Sequence, residues 1–285
     1  MLASASDPTT FAAMVPPTAI ESPPREPNEP PPEDALATTP GLRLSFRQVD
    51  DYLTCPLKYR YVHRTRIPLL THHRVVYGSA VHLAVQEMFK ARLAGQPFAV
   101  DDLVAAFRRA WVSEGFLSRA HEELRLREGE ETLRRFHAYE AAHPLSPTGV
   151  EEEFSFPIGR TRVMGRYDLV VRDDSGVTIL DFKTGDVDSR EKAQKRAEDS
   201  LQLAIYALAH LRITGALPAR VELRFLESDL VGGFAPTLTQ AQDTEKQVAE
   251  VADAISRGRF EATPSHAACR PCPFRDVCPA TARDD

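Results

Sequence analysis

The sequence predicts an α/β fold, and three observations carry the prediction. Apolar residues at helical spacing fill the stretch before Pro144. Strand-like runs rich in β-branched and aromatic residues follow it. Helical spacing then returns from about Ala197. At 285 residues the chain can build one large domain or two small ones.

Composition narrows the class. A content of 42% hydrophobic and 27% charged residues fits a soluble globular protein. No apolar run approaches the ~18 residues that span a membrane. Met1 to Thr10 holds no lysine, no arginine and no apolar core, so the protein is expected to be cytoplasmic. The net charge of −6 speaks against a generally basic coat for nucleic acid. Residues 1–40 carry six acids against Arg25, and ten of the 22 prolines. Such a segment buries too little apolar surface to offset its ordering entropy. Residues 1–41 are therefore expected to be a disordered, proline-rich acidic tail, and 42–285 the folded domain.

The elements follow in order. Ser45 with Gln48 resembles a capping box ahead of Phe46, Val49, Tyr52 and Leu53 at helical spacing. From Cys55 to Arg66 bases alternate with aromatics, among them Lys58, Tyr59, Arg60, Tyr61 and Arg64. This is either an amphipathic helix with half-buried tyrosines or a nucleic-acid track, with bases on phosphates and tyrosine faces for unstacked nucleobases. Gly78 opens a helix to about Leu93, with Val81, Val85, Met88 and Phe89 as its stripe and His82 at the edge. Two further helices are read around Leu103–Trp111 and Leu124–Tyr139.

Val150–Ile158 and Thr161–Val171 read as strands. Asp168 interrupts the apolar end of the second, where a buried, unpartnered acid is costly. The turn Asp173-Asp174-Ser175-Gly176 leads into a strand ending at Leu180-Asp181-Phe182-Lys183-Thr184-Gly185, so these two strands form a hairpin. Residues two apart on a strand share a face. Asp181 and Lys183 point one way and Phe182 the other. The pair is either a surface ion pair or a metal ligand beside a water-activating lysine. Arg190–Arg196 is read as a basic loop, and Ala197–Leu211 as a helix placing Gln202 and Tyr206 four apart. Val221–Leu226 and Phe234–Leu238 read as strands around a Gly232-Gly233 turn, and Thr239 as the cap of a last helix through Ile255.

The four cysteines are Cys55, Cys269, Cys272 and Cys278, three of them spaced C-x2-C-x5-C among prolines. In a cytosolic protein this spacing argues against a disulfide framework. Four thiolates suit Zn²⁺ or a [4Fe–4S] cluster.

Together these motifs resemble the PD-(D/E)XK nuclease superfamily, and within it the RecB-type exonuclease domain of AddB-like subunits and Cas4 proteins. The matching residues are Gly78-x3-His82, Gly165-x2-Asp168, Asp181-Phe182-Lys183-Thr184-Gly185 and Gln202-x3-Tyr206, with one cysteine before and three after. The proline that precedes the first acid in the superfamily is missing, and Tyr167 stands where many relatives have an aliphatic residue. The resemblance implies a restriction-endonuclease-like fold: a central mixed β-sheet flanked by helices, with a helical insertion at 84–145 and an Fe–S staple at 265–280. It implies Mg²⁺ or Mn²⁺ held by His82, Asp168, Asp181 and the Phe182 carbonyl. Lys183 would act on the attacking water, and Gln202 and Tyr206 would support the site and touch DNA. Cys55, Cys269, Cys272 and Cys278 would bind [4Fe–4S]. The implied activity is metal-dependent hydrolysis of DNA, single-stranded or at ends, in recombination, repair or defence against foreign DNA. The alternative is a non-catalytic DNA-binding Fe–S module partnering a helicase. No Walker motif G-x4-G-K-[ST] occurs, so this chain is expected to have no helicase engine of its own, unlike many relatives in which the domain is fused to one; a helicase subunit is an expected partner.

Overall fold

The protein is described by a computed structural model covering residues 41–185 and 187–282. The expected disordered tail lies outside these residues except for Gly41. Residues from Gly41 onward belong to one unit.

Strand β1 (Arg43–Leu44) leads into α1 (Phe46–Thr54), whose Ser45–Gln48 capping box forms as expected. A short α2 (Pro56–Tyr59) runs on into a π-helical turn at Arg60–Arg64. Three helices follow: α3 (His73–Leu93), α4 (Val100–Ala110) and α5 (Arg119–Ala142). They take up most of the stretch expected as a helical insertion. The strands come next: β2 (Pro147–Ile158), β3 (Thr161–Asp173) and β4 (Gly176–Lys183). Helices α6 (Arg190–Glu198) and α7 (Leu201–Thr214) lead to β5 (Arg220–Phe225), β6 (Leu230–Phe234), α8 (Leu238–Ser256) and a short α9 (His266–Cys269). Among the described residues no helix is long and apolar enough to cross a membrane.

The six strands form one mixed sheet, as expected. β2 and β3 pair antiparallel, β3 and β4 form the expected antiparallel hairpin, β4 and β5 are parallel, and β5 and β6 antiparallel. One edge of β3 is shared. β1 pairs there at Arg162 and Val163, and β4 pairs from Leu169 onward. Between them β3 and β4 part, and this fork holds the site described below.

Helices cover both faces. On one, Leu203, Ile205, Leu208, Val248 and Val251 pack against Val163, Ile179 and Val221. On the other, Val81, Val85, Phe89, Phe107 and Leu133 pack against Leu169, Leu180 and Phe182. Burying a side chain of this size contributes about 1.5–3 kcal/mol, so these two layers hold the sheet rigid around the fork.

Three local expectations are corrected. The basic stretch Arg190–Arg196 is helical, not a loop. Ser189 caps it at the Lys192 amide, and Ala193 and Ala197, four apart, give it a small buried stripe. Asp199-Ser200 breaks the chain after it, so the next helix starts at Leu201, capped by Ser200. Gly232 and Gly233 lie inside β6, not at a turn, because α6 rests on that strand. A Cβ on Gly232 would overlap the Ala193 carbonyl. Thr237 rather than Thr239 caps α8, because Gln240 stands three residues on and completes a capping box.

The two chain ends are joined through aromatics. The Tyr52 hydroxyl donates to the Arg259 carbonyl at 2.7 Å. Tyr59 stacks on Phe260 at 6.0 Å, and Tyr61 meets Phe274 edge-on at 5.0 Å. Tyr59 is spent on packing, at only 1% exposed, while Tyr61 stays half-buried. For Tyr59 that corrects the reading in which its face receives a nucleobase. Lys58 is also engaged, 2.7 Å from the buried Asp51, while Arg60 and Arg64 are exposed.

Candidate active site

The site is built where β3 and β4 diverge. The last ladder pair is Leu169 with Leu180, so Asp168 and Asp181 sit just past the point of separation. There the Phe182 amide, free of a strand partner, donates to Asp168 Oδ2 at 3.0 Å. Strand alternation puts Phe182 on the opposite face, where it stacks on Phe89 at 5.6 Å. Asp181 and Lys183 share a face, as expected, with Oδ2 and Nζ 2.7 Å apart.

Helix α7 closes the fork from one side. Gln202 stands between the charges: its amide NH₂ donates to Asp181 Oδ1 at 2.5 Å, and its carbonyl accepts from Lys183 Nζ at 2.6 Å. Only this amide orientation offers oxygen to the cation and nitrogen to the anion. One turn on, the Tyr206 hydroxyl donates to the Arg166 carbonyl at 2.7 Å and takes a hydrogen bond from Gln202 at 2.9 Å. Tyr206 thereby satisfies a β3 carbonyl exposed by the parting strands. It is 2% exposed. Of the two parts expected of it, support is open to Tyr206 and DNA contact is closed.

Helix α3 closes the other side. Gly78 lies against Thr184, where a side chain would crowd the Thr184 hydroxyl. One turn further, His82 Nδ1 comes to 3.4 Å from Asp168 Oδ2. On β3, Gly165 leaves space that the Phe154 ring fills. The glycines of the two motifs are thus contact points that set the distance between helix, strand and acid.

The electrostatics follow from burial. Asp168 is pushed well above the usual carboxylate range, first by burial and then by the charge of Asp181; the Phe182 amide works against this. His82 is held below its ordinary value, first by burial and also by the Lys183 charge, while Asp181 and a hydrogen bond with the Phe182 backbone pull the other way. A neutral His82 keeps a lone pair for a cation. Asp181 is 1% exposed, and its Oδ2 receives no directed hydrogen bond beside the Lys183 ammonium. One buried and one half-buried carboxyl, one imidazole and one peptide carbonyl offer an oxygen-rich donor set, whose nearest cation is the Lys183 ammonium beside Asp181. That is the donor chemistry a hard divalent cation takes.

One contributor was not singled out from the sequence. Glu151 on β2 lies across from Asp168 and pairs with Arg166. It stands at φ 55°, a left-handed conformation that L-residues adopt at a cost of about 1–2 kcal/mol. Burial raises its carboxyl, and Asp181 adds to the rise. The only sequence signal was an acid within a strand, in the run Glu151-Glu152-Glu153.

The four cysteines lie at the joined chain ends, all half-buried. Burial raises the Cys272 thiol, and Cys55 and Cys278 add to the rise through their charge. Cys55 is raised by burial but lowered on balance, with the Thr263 backbone the largest lowering contact. Among the described residues no group of three or more His, Cys, Asp or Glu side chains is drawn together as a finished metal site. This holds for the cysteines and for the fork alike.

Comparison with known proteins bears on the fold and the family. No curated protein matches the chain in sequence. Among solved structures, a candidate exonuclease from Eubacterium rectale is 12% identical, with a TM-score of 0.50, covering 85% of this chain and 90% of that one. That likeness speaks for the fold. The structure of SSO0001 is 11% identical, with a TM-score of 0.35, covering 83% and 95% of the two chains, and is too distant to carry an argument. The family model of the PD-(D/E)XK nuclease superfamily matches residues 43–279, which include every side chain of the fork. The chain belongs to the PD-(D/E)XK nuclease superfamily.

Proposed function

We propose that this protein is a metal-dependent deoxyribonuclease that hydrolyses phosphodiester bonds in single-stranded DNA or at DNA ends, in recombination, repair or defence against foreign DNA. The observation that carries the reading is the meeting of Asp168, Asp181, His82 and Lys183 in one fork, with Gln202 holding Asp181 and Lys183 in register. Superfamily membership makes hydrolysis of nucleic acid the expected chemistry.

His82, Asp168, Asp181 and the Phe182 carbonyl would hold Mg²⁺ or Mn²⁺. Such a cation supplies charge neutralisation at the scissile phosphate and makes nearby water more acidic. The chain does the rest. Asp181, fixed by Gln202, orients the Lys183 ammonium toward the fork. Lys183 can hold the attacking water by hydrogen bonding and stabilise charge growing on the phosphate oxygens. Tyr206 and Gln202 are positioning residues that keep the acids from turning away. Arg60 and Arg64 are proposed to hold backbone phosphates; Lys58, paired with Asp51, is available only if that pair opens.

The finer reading of Cys55, Cys269, Cys272 and Cys278 is a [4Fe–4S] site. Cys272 lies near enough to Cys55 and Cys278 to feel their charge, and Cys269 stands three residues before it in the chain; that proximity is what supports the reading. Anaerobically purified protein should then absorb broadly near ~400 nm. A colourless protein holding one zinc would replace the cluster with a zinc site. A helicase subunit is the proposed partner, since the chain has no Walker motif of its own.

The test of function is digestion of 5′- and 3′-labelled single strands with Mn²⁺ and with EDTA. The reading expects release of short products in Mn²⁺ alone. Intact strands under every metal condition, with DNA still bound, would favour the non-catalytic module.

A further inference from the structure

Beside Lys183, on the side of the fork away from His82, lies a cavity of about 320 Å³. Helix α6, read from sequence as a loop, forms one wall and contributes Arg196. Phe46, Leu223 and Phe225 supply apolar lining, and Gln202 and Lys183 join the cavity to the catalytic pair. Arg196 sits over the Phe225 ring, its guanidinium carbon 5.8 Å from the centroid; its charge is felt by Asp188, whose carboxylate is bonded to Lys192 instead. Lys192 and Lys195 on the same helix are paired with Asp188 and Asp199.

We infer that this cavity is a subsite for one unpaired nucleotide next to the scissile phosphate, with Arg196 taking the neighbouring phosphate. The inference deepens the nuclease reading and rests on it. A strand that places a phosphate at Lys183 must continue to one side, and the cavity opens directly from that lysine. A planar guanidinium held over a ring suits bidentate contact with a phosphodiester. The apolar lining suits a base or sugar face. Asp50 and Asp199 also line the cavity. Their acidity leaves room for one phosphate at Arg196 and disfavours a second. A base still paired in a duplex cannot enter, so the subsite selects single strands and frayed ends.

The test is equilibrium binding of a fluorescein-labelled oligodeoxynucleotide in EDTA, which needs no catalysis. Arg196→Ala should weaken binding about 10- to 100-fold, the range for losing a charged hydrogen-bonding contact. It should also make the plot of log affinity against log salt shallower by about 0.7, the loss of one phosphate contact on a single strand. Arg196→Lys should recover the salt slope and only part of the affinity. Lys192→Ala should change affinity less than about 2-fold, since its charge is already paired. A dumbbell duplex with no free strand should show no Arg196 dependence. If Arg196→Ala binds the single strand like wild type, or loses as much affinity for the dumbbell, the subsite falls while the nuclease reading stands. If wild type neither binds nor cuts DNA, both fall.

Discussion

Asp168 Oδ2 accepts the Phe182 amide at 3.0 Å, across the gap where β3 and β4 stop pairing. A side chain thus replaces a ladder bond, and the exchange opens the sheet at the point where two acids meet. Asp168→Asn keeps an acceptor for that amide and removes a buried charge. The Asp168 carboxyl is raised in the fold, so ionising it works against the folded state at pH above the ordinary value of 3.8. Metal-free Asp168→Asn should therefore match or exceed wild type in stability at pH 7, and the advantage should shrink as pH falls toward 3.8. Asp168→Ala leaves the amide unpaired and should cost about 1–3 kcal/mol. Urea unfolding of the three proteins across pH measures both effects; Asp168→Asn less stable than Asp168→Ala would contradict them.

Gln202 touches both members of the proposed catalytic pair, so its loss should show in turnover rather than binding. Gln202→Ala is expected to lower kcat about 10- to 100-fold, the usual cost of removing a residue that orients ligands. KM for a single strand should stay within about 2-fold. Steady-state kinetics separate the two; a rise in KM with kcat unchanged would make Gln202 a DNA contact instead.

Gly165 is needed for space. Its missing side chain leaves room for the Phe154 ring, itself 5% exposed. Gly165→Val should cost about 1–3 kcal/mol through overpacking. Gly159→Val is a poor control because that residue stands at φ 55°, but Ser155→Val on the exposed side of β2 should be near neutral. Thermal unfolding of the two variants gives the comparison.

Asp51 ties α1 to the segment after Cys55, with Lys58 and His63 each 2.7 Å away. Burial alone would raise its carboxyl, but the hydrogen bonds and charges of Lys58 and His63 outweigh burial and hold it below 3.8. A depressed folded value means stability that is full above 3.8 and lost as pH falls through the folded value. Asp51→Asn should cost about 1–3 kcal/mol at pH 7. Its deficit relative to wild type should narrow as pH drops below 3.8. A deficit that stays constant down to pH 3 would show that the charge contributes nothing.

The fold and most of the fork were legible because their signals are local. The Asp173–Gly176 turn defines the hairpin, strand alternation puts Asp181 and Lys183 on one face, and helical spacing puts Gln202 one turn from Tyr206. Where the reading failed, the deciding contact lay elsewhere in the chain. Gly232 looked like a turn residue until α6 was found resting on β6. The charged stretch Arg190–Glu198 hid an alanine stripe, Ala193 and Ala197, on a helix that packs against the distant strands β5 and β6. Tyr59 and Tyr61 alternate with bases as a nucleic-acid track would, but Phe260, some 200 residues away, claims the face of Tyr59, and Phe274 meets Tyr61 edge-on. The placement of Glu151 was unreadable because it stands in a left-handed conformation within a strand, which no propensity foretells.

The central claim is that Asp181 and Lys183, 2.7 Å apart on one face of β4, perform metal-dependent hydrolysis of DNA. Its most direct test is the initial rate of cleavage of a labelled single strand in Mn²⁺ by wild type, Asp181→Asn and Lys183→Met, each checked for a wild-type circular dichroism spectrum. The account predicts cleavage by wild type and a loss of at least about 100-fold in both variants, the scale of removing one charged group that stabilises a transition state. Folded variants that cut at the wild-type rate would contradict it.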